Sequence, residues 1–278
     1  MKTLYLTDLD GTFLNEKAEV SPKSATIINH LIDNGCLFSV ATARTFATVM
    51  KKFEGVNLNI PLVFMNGVLI FDPVKYKPLK VHKIEKAAAD EVLQIFNEQD
   101  ATPMLYFEND GLLTIKHNTK DKNSLQNEYL DDRKNLIGKT LIKTDDVVVS
   151  ENDNLIYIVS IDTFENSSPI HQKVKSNPNV SCTYYCDNYT NSYFLETICK
   201  GVSKASGALM VKEILGVDKI VAFGDNLNDL PIFKIADECY AVSNACDELK
   251  DVATAVIGSN VDDSVAEFLL ERFENGKL

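Results

Sequence analysis

The chain is short of positive charge, of histidine and of any long apolar run, and each shortage removes a class of function. Lys and Arg number 28 against 40 Asp and Glu, a formal net charge of −12 over 278 residues. Such a field repels phosphate backbones and anionic lipid surfaces, so neither nucleic acid nor a membrane surface is expected as a partner. No apolar stretch reaches the roughly 18 residues a spanning helix requires. The longest, Ile60 to Phe71, is interrupted by Pro61, Asn66 and Gly67. At the N-terminus only Lys2 precedes a short strand-like run that reaches Asp8 and Asp10, which is not the charged, apolar, small-residue order of a secretory signal, and a cytoplasmic location is expected. His30, His82, His117 and His171 show no HxxxH or related spacing, so neither a zinc site nor a catalytic triad is supported. Cys36, Cys182, Cys186, Cys199, Cys239 and Cys246 include no CxxC. In a chain long enough to build its own core, reduced and mostly buried thiols are expected rather than disulfides. Asn166-Ser167-Ser168 and Asn188-Tyr189-Thr190 match the glycosylation pattern but carry no meaning without secretion.

What is present is an alternation of strand-like and helix-like segments. Thr3 to Leu9 reads as a buried strand ending in Asp8-Leu9-Asp10-Gly11-Thr12, and Ser21-Pro22 supplies an N-cap and first-turn proline for a helix that stops at Gly35. Cys36 to Ala41 is a second apolar strand, ending in Thr42-Ala43-Arg44. Leu62 to Met65, Asn66-Gly67 and Val68 to Phe71 form a hairpin signal. From about His82 the pattern becomes a mixture of helix (Glu85 to Glu98) and short strands (Val147 to Val149, Leu155 to Ile161, Ser181 to Tyr185, Tyr193 to Ile198), with a hairpin turn at Asn109-Asp110-Gly111. After Gly201 strict alternation returns: helix Lys204 to Leu215, strand Lys219 to Phe223, a short helix near Leu230, strand Cys239 to Val242. This order predicts a mostly parallel sheet covered on both faces and interrupted by an α+β insertion. Ligands of such sheets sit beyond the carboxyl ends of the strands, where Asp8, Asp10, Thr42 and Asp225 all fall.

Two carboxylates at Asp8 and Asp10 directly after an apolar strand repel each other unless a cation binds, and Gly11 beside them lets the backbone approach a ligand closely. Mg²⁺ takes oxygen ligands of this kind. A plain turn is the bland reading, since Asp and Gly favour turns. Against it, Gly224-Asp225-Asn226-Leu227-Asn228-Asp229 again places acids after an apolar strand, Thr42 ends the second strand with a hydroxyl, and Lys204 opens a helix with an ammonium group.

These four elements in this order resemble the haloacid dehalogenase superfamily of phosphohydrolases, and the large insertion, left at Lys200-Gly201-Val202-Ser203-Lys204, is similar to the Cof-like sugar-phosphatase branch. The resemblance implies a doubly wound, Rossmann-like α/β core over residues 1–82 and 197–278 and a cap domain for substrate specificity over 83–196. It implies that Asp8 attacks phosphorus to form an aspartyl-phosphate, and that Asp10 protonates the leaving alcohol and then deprotonates water. It implies Mg²⁺ held by Asp8, the Asp10 backbone carbonyl and Asp225, with Asp229 supporting them. Thr42, Lys204 and Asn228, with the backbone N–H groups of Leu9 and Ala43, are implied as holders of the phosphoryl oxygens. The partner is then a small phosphorylated metabolite. Two departures from the family pattern, Ala241-Val242-Ser243-Asn244-Ala245 and Val261-Asp262-Asp263-Ser264-Val265, lie outside these residues.

Other signals are set aside. Gly138-Lys139-Thr140 is like the end of a P-loop, but the earlier glycine position is Arg133 and no apolar strand leads in, so a loop is expected. Arg44 is as well read as a surface residue as a substrate contact, whereas Tyr184-Tyr185, at alternating strand positions, are read as core rather than as lining of a substrate pocket. Two alternatives to a phosphatase stay open: a phosphosugar mutase, which returns the phosphoryl group to substrate, and a non-catalytic phospho-ligand sensor, against which the intact Asp10 speaks.

Overall fold

The computed structural model describes residues 2–109, 111–119, 123–131, 139–145, 147–186 and 190–277. It divides into two compact units, Met1–Lys80 with Ser203–Leu278, and Val81–Val202. In chain order the first part holds β1 (Thr3–Thr7), α1 (Pro22–Asp33), β2 (Leu37–Val40), α2 (Phe46–Lys52), β3 (Leu62–Phe64), β4 (Leu69–Asp72) and β5 (Lys77–Val81). The middle holds α3 (Lys86–Asn97), β6 (Met104–Asn109), β7 (Leu112–Asn118), α4 (Ser124–Asp131), β8 (Lys139–Thr144), β9 (Leu155–Asp162), α5 (Phe164–Lys175), β10 (Val180–Cys186) and β11 (Tyr193–Cys199). The last part holds α6 (Lys204–Leu215), β12 (Lys219–Gly224), α7 (Leu230–Phe233), β13 (Glu238–Ala241), α8 (Asp247–Lys250), β14 (Ala255–Val256) and α9 (Ser264–Glu274).

The first unit is built on a parallel sheet of order β14-β13-β12-β1-β2. Leu4, Tyr5, Leu6 and Thr7 are all buried, so β1 is covered on both faces, as a central parallel strand must be. Register brings the carboxyl ends together: Thr7 lies beside Val40 of β2 and Phe223 of β12. Pairing continues one step further, where the Asp8 N–H donates to the Phe223 carbonyl (3.0 Å) and the Ala41 N–H to that of Thr7 (2.9 Å). Helix α1 starts where expected, with the Ser21 hydroxyl accepting from the Ser24 N–H (2.9 Å) and Pro22 in the first turn. Its buried stripe of Ile27, Ile28, Leu31 and Ile32 follows the helical period, and the helix packs on α9.

Helix α6 carries Lys204 in its first turn. A capping box fixes that end: the Ser206 N–H donates to the Ser203 hydroxyl (3.2 Å), and the Ser203 N–H donates to the Ser206 hydroxyl (2.9 Å). The tip of the β3–β4 hairpin presses on the same point. Gly67 sits at φ +96, and a Cβ there would lie 2.1 Å from the Ser203 carbonyl oxygen. Gly67→Ala therefore combines a left-handed backbone with a backbone clash, and is expected to cost about 2–5 kcal/mol of stability, read as a fall in the denaturation midpoint. A midpoint unchanged within error would show that the hairpin and α6 are not in contact as described.

The second unit is a six-stranded sheet of order β10-β11-β9-β6-β7-β8, antiparallel except for the β7–β8 pair. Its core gathers Ala89, Val92 and Phe96 of α3, Ile170 and Val174 of α5, and Leu105, Phe107, Leu155, Ile158 and Leu195 from the strands. Three expectations need correction here. Lys139 and Thr140, expected in a loop, begin strand β8; its alternating exposure and two lysines hid an edge strand behind a polar composition. Val147 to Val149, expected as a strand, is irregular, because the chain turns immediately afterwards, with the Ser150 N–H on the Asp153 carboxylate (2.9 Å) and the Asp153 N–H on the Ser150 carbonyl (3.0 Å). All six cysteines are free, yet only Cys36 and Cys239 are buried and Cys186 is exposed. Asp110, Arg133, Gly138, Asn188 and Tyr189 lie outside the described residues. Among the described residues no helix is long and apolar enough to cross a membrane.

Candidate active site

The carboxyl ends of β1, β2 and β12, with the start of α6, bring most of the residues singled out above into one place. Asp8 directly follows β1 and is 6% exposed; Asp229, on the turn Leu227–Asp229, is 1% exposed; Lys204 is 2% exposed. The Lys204 Nζ lies 2.8 Å from Asp8 Oδ1 and 2.8 Å from Asp229 Oδ1. Asp229 spends its other oxygen on the backbone, accepting from the N–H groups of Asp225 (3.1 Å) and Asn226 (3.3 Å). Asp225 in turn accepts from the Thr12 hydroxyl on Oδ1 (2.9 Å), a contact that the motif spacing did not disclose. A carboxylate oxygen from each of Asp8, Asp225 and Asp229 lies within 4.8 Å of the others.

Three carboxylates face one ammonium, so two negative charges are left uncompensated in a largely buried site. That is the charge of one divalent cation, and a group of hard oxygen donors is the donor set such a cation takes. The protonation equilibria carry the same imbalance. Burial pushes the Asp8 carboxyl well up against the pull of Lys204, with Asp229 and Asp225 adding to the rise. Burial alone would push Lys204 down, but Asp229 and Asp8 outweigh it and hold the ammonium charged. Burial, then the Asp229 charge, raises Asp225 from the ordinary 3.8 to about 6, although the Thr12 hydroxyl and Lys204 act the other way.

A carboxyl whose folded value is raised favours the folded state at low pH and loses that advantage as pH climbs through the folded value. For Asp225 the loss falls between about pH 4 and 7 and amounts to roughly 2–3 kcal/mol in the metal-free protein. A divalent cation removes the repulsion only where the carboxylates are ionised. Thermal midpoints measured in EDTA and in saturating Mg²⁺ are thus expected to differ more at pH 7.5 than at pH 4.5, and equal shifts at both would refute the charge balance described.

Thr42 is 1% exposed and lies two residues beyond β2, its hydroxyl accepting from the Arg44 N–H (3.1 Å) and its own N–H donating to the Val63 carbonyl (3.0 Å). Leu9 is buried, and its carbonyl collects the N–H groups of Thr12, Phe13 and Leu14 in a tight loop. Ala43 is exposed on the neighbouring bend, and Asn228 is exposed on the turn that carries Asp229. Asp10 behaves differently from the other acids. Its carboxylate is half exposed, lies outside the three-carboxylate group and is gripped by Arg44, Nε to Oδ2 and Nη2 to Oδ1, both at 2.6 Å. Sequence spacing placed Asp10 and Arg44 in the same region but could not pair them, since 34 residues separate them.

Residues 5–269 match the family of haloacid dehalogenase-like hydrolases. The chain belongs to that family. It is 25% identical to a 5-amino-6-(5-phospho-D-ribitylamino)uracil phosphatase of Bacillus subtilis, covering 97% of each chain. It is 22% identical to a pyridoxal phosphate phosphatase of Escherichia coli, covering 94% of this chain and 95% of that one. A solved haloacid dehalogenase-like hydrolase from Bacteroides thetaiotaomicron shares the fold, with a TM-score of 0.78 at 20% identity over 98% of this chain and all of the other. Like the members of this family, the chain is a hydrolase with an α/β core and an added sheet domain.

Proposed function

We propose that this haloacid dehalogenase-like hydrolase is a Mg²⁺-dependent phosphatase of small phosphorylated metabolites, sugar phosphates foremost, acting in the cytoplasm through an aspartyl-phosphate on Asp8. The observation that carries the reading is a buried carboxylate, Asp8, held by Lys204 at the mouth of an acidic group two charges short of balance. The names of the relatives, both phosphatases of small phosphorylated compounds, support it.

In this reading Asp8 attacks phosphorus, the bond from phosphorus to the leaving oxygen breaks, and Asp10 delivers a proton to that oxygen. Asp10 then takes a proton from the water that attacks the aspartyl-phosphate, and inorganic phosphate leaves with Asp8 restored. Arg44 engages both Asp10 oxygens, so each proton transfer requires that grip to loosen. Thr42, Lys204, Asn228 and the N–H groups of Leu9 and Ala43 hold the phosphoryl oxygens and meet the charge that builds on them. Asp8, the Asp10 carbonyl and Asp225 would hold Mg²⁺, which supplies positive charge to the phosphoryl group when bound. Asp229, with both oxygens already engaged, orients Lys204 and the Asp225 backbone. The inserted unit, Val81–Val202, acts as the cap that sets substrate choice.

Incubating the purified protein with p-nitrophenyl phosphate and a panel of phosphorylated sugars, nucleotides and cofactors tests this. Stoichiometric release of inorganic phosphate in Mg²⁺, abolished by EDTA, is expected. Phosphoryl return to a second position of the sugar would make it a mutase, and tight binding without turnover a sensor.

A further inference from the structure

The turn after β13 grips both halves of the acidic site. On one side its backbone holds the β12 loop: the Val242 N–H donates to the Gly224 carbonyl (3.2 Å) and the Cys246 N–H to the Asp225 carbonyl (2.9 Å). On the other side the Asn244 side chain reaches the β1 loop, its Nδ2 donating to the Gly11 carbonyl at 2.7 Å. The same amide accepts on Oδ1 from the Asn260 N–H (3.1 Å) and, more distantly, from the Ser259 hydroxyl (3.4 Å). A carbonyl at one end and an N–H at the other leave only one orientation for the amide, so the donor and acceptor roles are fixed by the backbone partners.

What Asn244 holds is a peptide plane with consequences. The Gly11 carbonyl and the Thr12 N–H belong to one planar unit. Its N–H donates to the Leu9 carbonyl (3.2 Å), and the Thr12 hydroxyl that follows donates to Asp225 Oδ1 (2.9 Å). Gly11 meets the other Asp225 oxygen. It sits at φ +74, and a Cβ there would stand 2.4 Å from Oδ2. The Asp225 carboxylate is thus bounded on both of its oxygens by the two residues that share this peptide, Gly11 and Thr12, and Asn244 is the link that ties that peptide to the turn holding the Asp225 backbone.

We infer that Asn244 is a positioning residue for the cation site: it sets the distance and tilt between the Asp8–Thr12 loop and the Asp225 carboxylate without touching the cation or the substrate. The inference rests on the reading of Asp8 and Asp225 as cation ligands given above. Residues that orient ligating carboxylates in this indirect way typically alter metal affinity 10- to 100-fold when changed. Because Asn244 is exposed, its removal leaves no buried hole, and the fold should tolerate the change. Asn244→Asp keeps the acceptor for Asn260 but sets an oxygen against the Gly11 carbonyl, while Asn244→Ala removes both contacts.

The test is calorimetric titration of the full chain with Mg²⁺, beside the thermal midpoint in EDTA. Both variants are expected to bind Mg²⁺ about 10-fold more weakly than wild type, with kcat at saturating Mg²⁺ within about 3-fold. Asn260→Ala is the control, since it removes the Asn260 Nδ2 contact to the Leu14 carbonyl (2.8 Å) and keeps the backbone N–H that Asn244 uses. It is expected to lower the midpoint and leave Mg²⁺ affinity alone. Wild-type affinity in both Asn244 variants, or an equal loss in Asn260→Ala, overturns the positioning role. A wild-type protein that binds no Mg²⁺ overturns it together with the cation reading, whereas one that binds Mg²⁺ but hydrolyses no phosphate ester refutes the proposed function and leaves this inference standing.

Discussion

Asp8→Asn is expected to reduce release of phosphate from p-nitrophenyl phosphate by roughly 10⁴-fold or more, with the fold intact. The substitution changes almost no volume in a position 6% exposed, and the amide oxygen preserves an acceptor for the Lys204 ammonium 2.8 Å away. What it removes is the nucleophilic electron pair of an ionised carboxylate, and with it the covalent intermediate. It also removes one of three charges in a group that is two short of balance, so the metal-free protein should melt at the same temperature as wild type or higher. That combination separates chemistry from structure: loss of activity through unfolding would lower the midpoint. Activity within 10-fold of wild type would remove Asp8 from the nucleophile's place. An intermediate loss, with burst kinetics retained, would point to another attacking group.

The acids, Thr42 and Lys204 were legible in the sequence because each stands at the end of an apolar strand or the start of a helix, and parallel-sheet topology brings strand ends together without further information. The boundaries of α6 were equally plain, since Ser203 caps one end and Gly216 ends the other. What stayed hidden depends on side chains meeting across long separations. Arg44 on Asp10, Thr12 on Asp225 and Asn244 on Gly11 are bonds between residues 34, 213 and 233 positions apart, and no local spacing encodes them. The hidden strands were those with little apolar signal. Strand β5 has the sequence Lys-Pro-Leu-Lys-Val and β8 is Lys-Thr-Leu-Ile-Lys-Thr, both half exposed and both at a sheet edge, where lysines and a proline belong but where periodicity says nothing. The resemblance that identified the core therefore left the inserted unit as a composition with a length.

Lys204→Met should be as damaging as the loss of the nucleophile is selective, because it strikes stability and catalysis through the same two contacts. Methionine matches the lysine stem in volume, so packing survives, while Asp8 and Asp229 are left facing each other in a site that excludes water. Breaking a buried pair by removing one partner costs about 3–5 kcal/mol, since the remaining charges are neither solvated nor paired. The cost must depend on pH. Without the ammonium, whose pull holds it down, the already raised carboxyl of Asp8 rises further, and a raised carboxyl withdraws stability as pH climbs and restores it as pH falls. Denaturation of the variant is accordingly expected to be close to wild type near pH 4 and well below it at pH 8, and Mg²⁺ should recover part of the difference at pH 8 by replacing the missing positive charge. Catalysis does not recover with it. Removing one preorganised donor to a transferring group typically costs 10²- to 10³-fold in kcat, and a cation bound among the three carboxylates cannot stand where the Lys204 Nζ stood. A Lys204→Met protein as stable as wild type at pH 8 in EDTA would mean that Asp8 and Asp229 do not share the ammonium.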